Sequence, residues 1–99
     1  MAQFDVYAIG QSQDLLLEIQ ANTHYDLSSR VVVPLVRRTP FLIPARRLHP
    51  EFPLNGETYI LVTHLITSVP ANQLQKPIAN LNASHDQISA ALDMLFLGF

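Results

Sequence analysis

Five prolines between residues 34 and 53 limit what the middle of this chain can fold into. Pro34 stands inside a β-branched run, and Pro40, Pro44, Pro50 and Pro53 follow it at short intervals. Proline fixes φ, lacks a backbone N–H and pushes the preceding residue out of the helical region, so this segment favours short extended pieces over a long helix. Because proline cannot donate to a sheet ladder, Pro34 further predicts that its strand lies at an edge or contains a bulge.

Alternating apolar residues predict two strands before this proline-rich segment. The first runs from Gln3 to Ile9 and the second from Leu15 to Ala21, with the polar stretch 10–14 as the turn between them. A half-buried strand places every second side chain on the core face. The expected core-facing residues are Phe4, Val6, Ala8, Leu15, Leu17, Ile19 and Ala21, with Asp5 and Tyr7 on the opposite side of the first strand.

One further strand is predicted at each end of the proline-rich segment. One covers Arg30 to Val36, and the other covers Glu57 to Thr67. Asn55-Gly56 precedes the second of these and is typical of a type I′ turn, in which both central residues need positive φ. We therefore expect a second hairpin at this point.

The end of the chain carries the helical pattern. Ile88, Ala91, Leu92, Leu95 and Phe96 recur at helical spacing and predict an apolar face. Ser84 and Gln87 have the spacing of a capping box, and Gly98 is placed to end the helix. A second apolar strip, formed by Ala90, Met94 and Leu97, predicts that the helix contacts a second surface. Short strands followed by one helix indicate a small, mainly β, barrel-like fold.

Composition predicts one folded domain, spanning residues 1–99, that associates with itself. Hydrophobic residues make up 48% of the 99 positions and charged residues only 14%, so apolar surface is left over once one core is filled. The absence of cysteine fits a reducing cytoplasm. Neither a signal peptide nor an apolar run of roughly 18 residues is seen, so neither export nor membrane insertion is expected.

Charge argues against binding nucleic acid through its phosphates. The formal net charge is −2, whereas such binding calls for a basic excess or a basic patch. The pairs Arg37-Arg38 and Arg46-Arg47 are read either as a local patch of that kind or, in the simpler interpretation, as solvated loops.

Few residues indicate catalysis. The four histidines lack the spacing of a metal site, the scattered glycines cannot form a nucleophile elbow, and neither a metal nor a cofactor is expected. His64 is interpreted as a structural or surface residue. Acid–base ribonuclease chemistry stays open, since it needs only a base, an acid and a cation. Its candidate residues are Asp26, Arg30, His49 and Arg46.

Five short motifs together resemble the CcdB family, the toxin halves of toxin–antitoxin pairs, over nearly the whole chain. They are Gln3-Phe4-x-Val6-Tyr7, Arg30-x-Val32-x-Pro34-Leu35, Gly56-Glu57, Ser68-Val69-Pro70 and an Ile88-x-x-Ala91 helix that runs to Phe96-x-Gly98. The resemblance implies an SH3-like barrel of antiparallel strands with a small extra sheet and a C-terminal helix, related to the MazF and Kid toxins. It also implies a cytoplasmic homodimer without catalytic activity.

The resemblance further implies two protein partners. Toxins of this family, which serve plasmid maintenance, poison DNA gyrase by gripping its A subunit with the ends of their C-terminal helices, and a CcdA-like antitoxin removes them. The positions implied to bind gyrase are His85, Asp86, Ser89, Ala90, Asp93, Leu97, Gly98 and Phe99, flanked by Thr23, His24 and Tyr25. Those implied to bind antitoxin are Gly10, Gln11, Ser12, Gln13, Asp14, Phe41, Leu42, Arg46 and Arg47. The dimer interface is expected at Met94, Leu95 and Leu97.

This chain departs from the family at its C-terminus. Leu97 stands where well-known members carry tryptophan, and Phe99 where they carry isoleucine. Losing the tryptophan removes aromatic contact worth about 1 to 3 kcal/mol at an interface. The first loop, residues 10–14, is also two residues shorter than in well-known members.

Three alternatives stay open. The first is a MazF/Kid-like ribonuclease, which would share the barrel, and the second is a chromosomal relative that has lost toxicity through Leu97 and keeps only antitoxin binding. The third concerns Leu97 and Phe99 alone, which cap the barrel core or lie in the dimer interface without touching gyrase.

Overall fold

Seven short strands and one helix form the regular structure of residues 2–24, 26–40 and 44–99, which are the residues that this computed structural model describes. The strands are β1 (Asp5–Ala8), β2 (Leu15–Glu18), β3 (Ser29–Arg37), β4 (Glu51–Leu54), β5 (Glu57–Leu61), β6 (Thr67–Pro70) and β7 (Ala79–Asn80). The helix is α1 (His85–Leu97). Short 3₁₀ turns lie at Asn22–His24, Arg46–Leu48, Thr63–Leu65, Ala71–Gln73 and Asn82–Ser84.

All strand pairs in the described residues are antiparallel and belong to one sheet. Its order is β4-β5-β3-β2-β1-β7, with β6 paired to β3. The first part of β3, residues 29–32, pairs with β6, and its last part, residues 35–37, pairs with β5. This confirms the predicted mainly β fold with a C-terminal helix. The β4–β5 hairpin is continuous with the rest through the end of β3, so the described residues form one sheet without a separate extra one.

Pro34 lies in a central strand, so the prediction of an edge or a bulge at this position is wrong. On one side of β3, Pro34 is opposite Leu16 of β2 in an uninterrupted register. In an antiparallel ladder the N–H and C=O of a residue point to the same side, and the Pro34 carbonyl accepts a hydrogen bond from Val62 N–H at 3.0 Å. The missing N–H therefore lies on the side of β3 that pairs with β6 and β5, at the point where one partner strand replaces the other. The ladder with β2, on the opposite side, is not interrupted.

The Asn55-Gly56 turn is confirmed. Both residues have positive φ, at 52° and 79°, and the flanking Leu54 and Glu57 are paired in the hairpin. The single strand predicted from Glu57 to Thr67 is instead divided by the 3₁₀ turn Thr63–Leu65 into β5 and β6. This division lets the two pieces pair with different parts of β3.

Both faces of the first hairpin are covered, which alternation alone did not predict. Tyr7, expected on the polar side, is only 1% exposed, because it packs with Val32 and Leu74 on the second face of the sheet. Ala8 and Ala21, expected in the core, are exposed. β1 also begins one residue after Phe4, whose φ of 69° is incompatible with a strand.

The larger core lies between the other face of the sheet and α1. Its buried members are Phe4, Val6, Leu15, Leu17, Val33, Leu35, Phe52, Tyr59, Leu61, Leu81 and Ile88. Ile88 and Ala91 are fully buried on the helix, as the helical spacing predicts, whereas Phe96 from the same predicted face is 67% exposed. The helix thus extends beyond the core at its C-terminal end.

The two ends of the helix differ from the prediction in one respect. Ser84 precedes the helix but makes no capping hydrogen bond with its side chain, so the capping box with Gln87 is wrong. A 3₁₀ turn, Asn82–Ser84, leads into the helix instead. Gly98 ends it as expected, with a φ of 82° and its N–H donating to Met94 O at 3.1 Å.

Four polar residues are buried on the second face of the sheet. Asp5, Tyr7, Glu18 and Arg30 are each less than 9% exposed. Burial raises the pKa of Glu18, and the neighbouring Arg30 guanidinium opposes this shift. Burial also raises the pKa of the Tyr7 hydroxyl, which donates to Glu18 Oε1 at 3.4 Å. These residues act together as an internal polar cluster that the sequence pattern did not indicate.

Candidate partner-binding surface

The C-terminal end of α1 presents three large apolar side chains to solvent. Phe96, Leu97 and Phe99 are 67%, 60% and 75% exposed. Gly98 lets the chain turn sharply after the helix, because its left-handed φ is accessible without strain only to glycine. Leu97 and Phe99 therefore do not cap the core of this chain. Of the two alternative roles considered for them, only a place in the dimer interface stays open. Such a concentration of exposed apolar area is typical of a surface that binds another molecule.

The remaining predicted gyrase positions lie along the same helix. His85, Asp86 and Asp93 are exposed, and Ser89 and Ala90 are half-buried. His85 is held at the start of the helix, where its ring meets Phe4 edge to face with centroids 5.3 Å apart. Its Nδ1 lies 3.4 Å from Asp86 Oδ1. The helix thus offers a polar flank leading to an apolar tip.

Only part of the predicted flanking loop is described. Thr23 is exposed within the 3₁₀ turn Asn22–His24. The Asn22 side chain fixes this turn by accepting a hydrogen bond from Gln3 N–H at 2.6 Å. The side chain of His24 and all of Tyr25 lie outside the described residues.

The predicted antitoxin loop, residues 10–14, forms an ordered turn between β1 and β2. The residues from Gly10 to Gln13 are exposed and Asp14 is half-buried. Ser12 Oγ accepts from Asp14 N–H at 3.0 Å, and Gln13 Oε1 accepts from Arg37 Nη1 at 2.6 Å. Gly10 also lines a shallow groove of about 380 Å³, together with Ala8, Ile9, Leu16, Val69, Asn72, Gln73, Leu74 and Gln75.

A second and larger groove brings together residues predicted for two different roles. It has a volume of about 550 Å³ and lies between the 3₁₀ turn Arg46–Leu48 and α1. Its lining consists of Ala45, Arg46, Arg47, Leu48, Met94 and Leu95. We call it the helix groove. Arg46 and Arg47 were predicted to bind antitoxin and Met94 and Leu95 to form the dimer interface, while Phe41 and Leu42 lie outside the described residues.

The four arginines of the sequence pairs differ in their partners. Arg37 Nη2 contacts Glu57 Oε1 at 2.8 Å, and Arg38 Nη1 contacts Glu51 Oε1 at 3.1 Å. Within the described part of the chain, Arg46 and Arg47 have no ion-pair partner. The free positive charge of this region is therefore concentrated at the rim of the helix groove.

A polar pocket adjoins the helix groove. It has a volume of about 470 Å³ and is lined by Arg38, Pro44, Arg46, His49, Pro50, Glu51 and Gln87. Of the four ribonuclease candidates, it contains Arg46 and His49 but neither Asp26 nor Arg30. Arg30 is buried, with Nη1 donating to Leu27 O at 3.1 Å. The predicted acid–base constellation is therefore not assembled in this pocket.

Two histidines meet at the polar pocket, and only one was a candidate from sequence. His49 Nε2 lies 2.8 Å from His64 Nδ1, and Ala45 N–H donates to His49 Nδ1 at 2.9 Å. Burial, followed by the charge of His64, lowers the pKa of His49 below its usual range. His64 is exposed and lies in a 3₁₀ turn instead of the strand predicted there.

The described residues contain no group of three His, Asp or Glu side chains positioned to hold a metal ion. No helix in the same ranges has the length and apolar character needed to cross a membrane.

Comparison with protein families gives a match over almost the entire chain. The family model described as CcdB protein matches residues 3–98. No curated protein matches this sequence.

Several solved structures share the fold at low sequence identity. A mycobacterial endoribonuclease in complex with its cognate antitoxin has a TM-score of 0.77 and 16% identity, covering 100% of this chain and 96% of that one. A mycobacterial endoribonuclease has a TM-score of 0.77 and 17% identity, with 100% and 92% covered. The Mycobacterium tuberculosis toxin MazF-mt6 has a TM-score of 0.71 and 15% identity, with 93% and 95% covered. At these identities the likeness extends to the fold alone.

Proposed function

The chain belongs to the CcdB family of toxin–antitoxin module toxins, and from this premise we propose that it binds the DNA gyrase A subunit through the C-terminal end of α1 and poisons the enzyme. The single observation that carries the proposal is the exposed apolar tip formed by Phe96, Leu97 and Phe99. Large apolar side chains at a helix end are suited to insertion into a groove of a partner protein.

The proposed mode of action is mechanical and needs no catalytic group. The tip lies beyond the core-packed part of the helix, so it can enter a partner without unfolding the toxin. Ser89, Ala90 and Asp93 on the flank of the helix would supply polar and small contacts behind the tip. Phe99 supplies aromatic area close to Leu97, the position where family members carry tryptophan.

A symmetric homodimer is part of this proposal. Met94 and Leu95 are only half-buried in the single chain, and together they line the apolar helix groove. Pairing two copies across this face would cover them and bring two helix ends together, as a two-fold symmetric target requires. Sedimentation at micromolar concentration tests this, and a monomer would contradict it.

We also propose that a CcdA-like antitoxin binds the chain at the loop 10–14 and at Arg46 and Arg47. Supporting this, the two arginines have no ion-pair partner in the described residues and border an apolar groove. An antitoxin segment with carboxylates would complement these two guanidinium groups at the rim of the groove that the second copy covers.

A ribonuclease function is the second candidate, because Arg46 and His49 share the polar pocket. Against it, both ring nitrogens of His49 are already engaged, by Ala45 N–H and by His64. His49 is therefore not free to take a proton from a ribose hydroxyl. Cleavage of RNA by the purified protein, lost in a His49→Gln variant, would reverse this ranking.

The experiment that tests the proposed function is a gyrase supercoiling and DNA-cleavage assay with the purified protein. Wild type is expected to trap cleaved DNA, and a chain truncated after Phe96 is expected to be inactive. If wild type is inert and Leu97→Trp is active, the chain is a relative that has lost toxicity through position 97. If neither acts, gyrase is not the target.

A further inference from the structure

His49 and His64 link two short segments that the chain brings together from distant positions. Their ring centroids are 4.9 Å apart with planes tilted by 52°, and His49 Nε2 lies 2.8 Å from His64 Nδ1. His49 directly follows the 3₁₀ turn Arg46–Leu48, and His64 belongs to the 3₁₀ turn Thr63–Leu65. Both turns pack against α1. The histidine pair therefore connects the turn Arg46–Leu48, which forms one wall of the helix groove, to the turn Thr63–Leu65, which also packs against α1.

A backbone donor fixes the direction of the hydrogen bonds. Ala45 N–H donates to His49 Nδ1 at 2.9 Å, so this nitrogen accepts and carries no proton. The proton of His49 is then on Nε2, from which it is donated to His64 Nδ1. His64 in turn carries its own proton on Nε2. The chain of hydrogen bonds from Ala45 through both rings requires both histidines to be neutral.

Protonation of either ring breaks this chain. A proton on His49 Nδ1 would face the Ala45 N–H, and a proton on His64 Nδ1 would face the His49 Nε2–H. Two cationic side chains, Arg38 and Arg46, line the same pocket. Among the described residues that line it, Glu51 is the one acidic side chain, and it is paired with Arg38.

From the helix, the side chain that lines this pocket is Gln87, which does not titrate. Burial of the ring, followed by the charge of His64, lowers the pKa of His49.

We propose that the His49–His64 pair is a pH-sensitive latch, which holds the turn Arg46–Leu48 in place at neutral pH and releases it on acidification. Because this turn forms one wall of the helix groove, the groove keeps its shape only while the latch is closed. The shape of the groove does not depend on which partner binds it. A failure of the gyrase or the antitoxin assignment would therefore leave the latch unaffected.

Nuclear magnetic resonance on the full chain tests the latch directly. With ¹⁵N-labelled histidine, both rings are expected in the Nε2–H form at pH 8. Met94 lines the groove and is one of only two methionines, so its methyl group is a resolved probe of groove shape. On acidification, the Met94 methyl resonance is expected to shift with the midpoint of the first protonation of the histidine pair.

Three variants separate the latch from a general effect of pH. His64→Ala removes the acceptor at an exposed position, and the midpoint that Met94 shares with the pair should disappear. His64→Asn places a side-chain oxygen near the former Nδ1, which restores the acceptor, and Met94 should again follow His49. His85→Gln is the matched control, since this exposed histidine lies at the start of the helix, where its ring packs against Phe4.

Three results would overturn the proposal. The first is an Nδ1–H form of either His49 or His64 at pH 8. The second is a Met94 resonance that follows the protonation of neither histidine of the pair. The third is an unchanged response in His64→Ala, with circular dichroism confirming that the variant is folded.

Discussion

Removing the two side chains that flank Gly98 should weaken gyrase binding without affecting folding. Leu97 and Phe99 are 60% and 75% exposed in the free chain. Full burial of one such side chain contributes about 1.5 to 3 kcal/mol, so covering the exposed fractions of both contributes roughly 2 to 4 kcal/mol. The double variant Leu97→Ala/Phe99→Ala is therefore expected to bind the gyrase A subunit roughly 30- to 1,000-fold more weakly than wild type.

Isothermal titration calorimetry with the purified gyrase A subunit measures this difference. Gly98 is retained in the double variant, so the end of the helix keeps its hydrogen bond to Met94 O. The free energy of unfolding should change by less than about 0.5 kcal/mol, because the deleted atoms lie at the surface.

Ile78→Ala is the matched control. Ile78 is 48% exposed but lies outside the helix tip, so its removal should leave the affinity unchanged. Equal losses in both variants, or an unchanged affinity in the double variant, would refute the assignment of the helix tip as the binding element.

The remaining predictions concern stability and are measured by urea denaturation. Arg30→Met leaves the buried Glu18 carboxylate without its cation and should lower the free energy of unfolding by about 3 to 5 kcal/mol; a loss below about 1 kcal/mol would show that the pair is not coupled. Gly56→Ala places a β-carbon at a φ of 79° and should cost roughly 1 to 2 kcal/mol, and no loss would mean that the turn rearranges. Ile88→Ala creates a cavity between helix and sheet, with an expected cost of about 2 to 5 kcal/mol; a smaller cost would indicate that the helix does not depend on this contact. Because the pKa of His49 is lowered in the folded state, the unfolded chain binds a proton at this histidine at a higher pH than the folded chain does. The free energy of unfolding should therefore fall as the pH decreases from about 7. A rising free energy of unfolding over that range would contradict the lowered pKa.

Three features that depend on neighbouring residues in the sequence were predicted correctly, whereas the equally local capping box of Ser84 and Gln87 was not. The Asn55-Gly56 turn needs two residues that tolerate positive φ, and both adopt it. The helical spacing of Ile88 and Ala91 correctly gave the buried side of α1, and Gly98 correctly gave its end. In each case the decisive physical requirement lies within a few residues of the feature.

Features that depend on contacts between distant segments were not predicted. Pro34 is compatible with a central strand only because β3 changes partners beside it. Tyr7 is buried because residues after β6 cover the second face of the sheet, as the contact with Leu74 indicates. The His49–His64 pair depends on two 3₁₀ turns meeting under the helix, for which no sequence pattern exists.

The candidate surface was predicted in part, with help from the family resemblance. The helical periodicity left an apolar strip without a partner, and the exposure of Leu97 agrees with it. The helix groove was not foreseen as one feature, because Arg46 and Met94 come from separate parts of the sequence and were assigned to different partners.

Photocrosslinking from the helix tip tests the central claim most directly. A photoreactive benzoylphenylalanine is introduced at position 99 in one protein and at position 78 in another, and each is irradiated with gyrase holoenzyme. A crosslink to the gyrase A subunit is expected from position 99 and none from position 78. A crosslink from neither position, or equal crosslinks from both, would contradict insertion of the C-terminal end of α1 into gyrase.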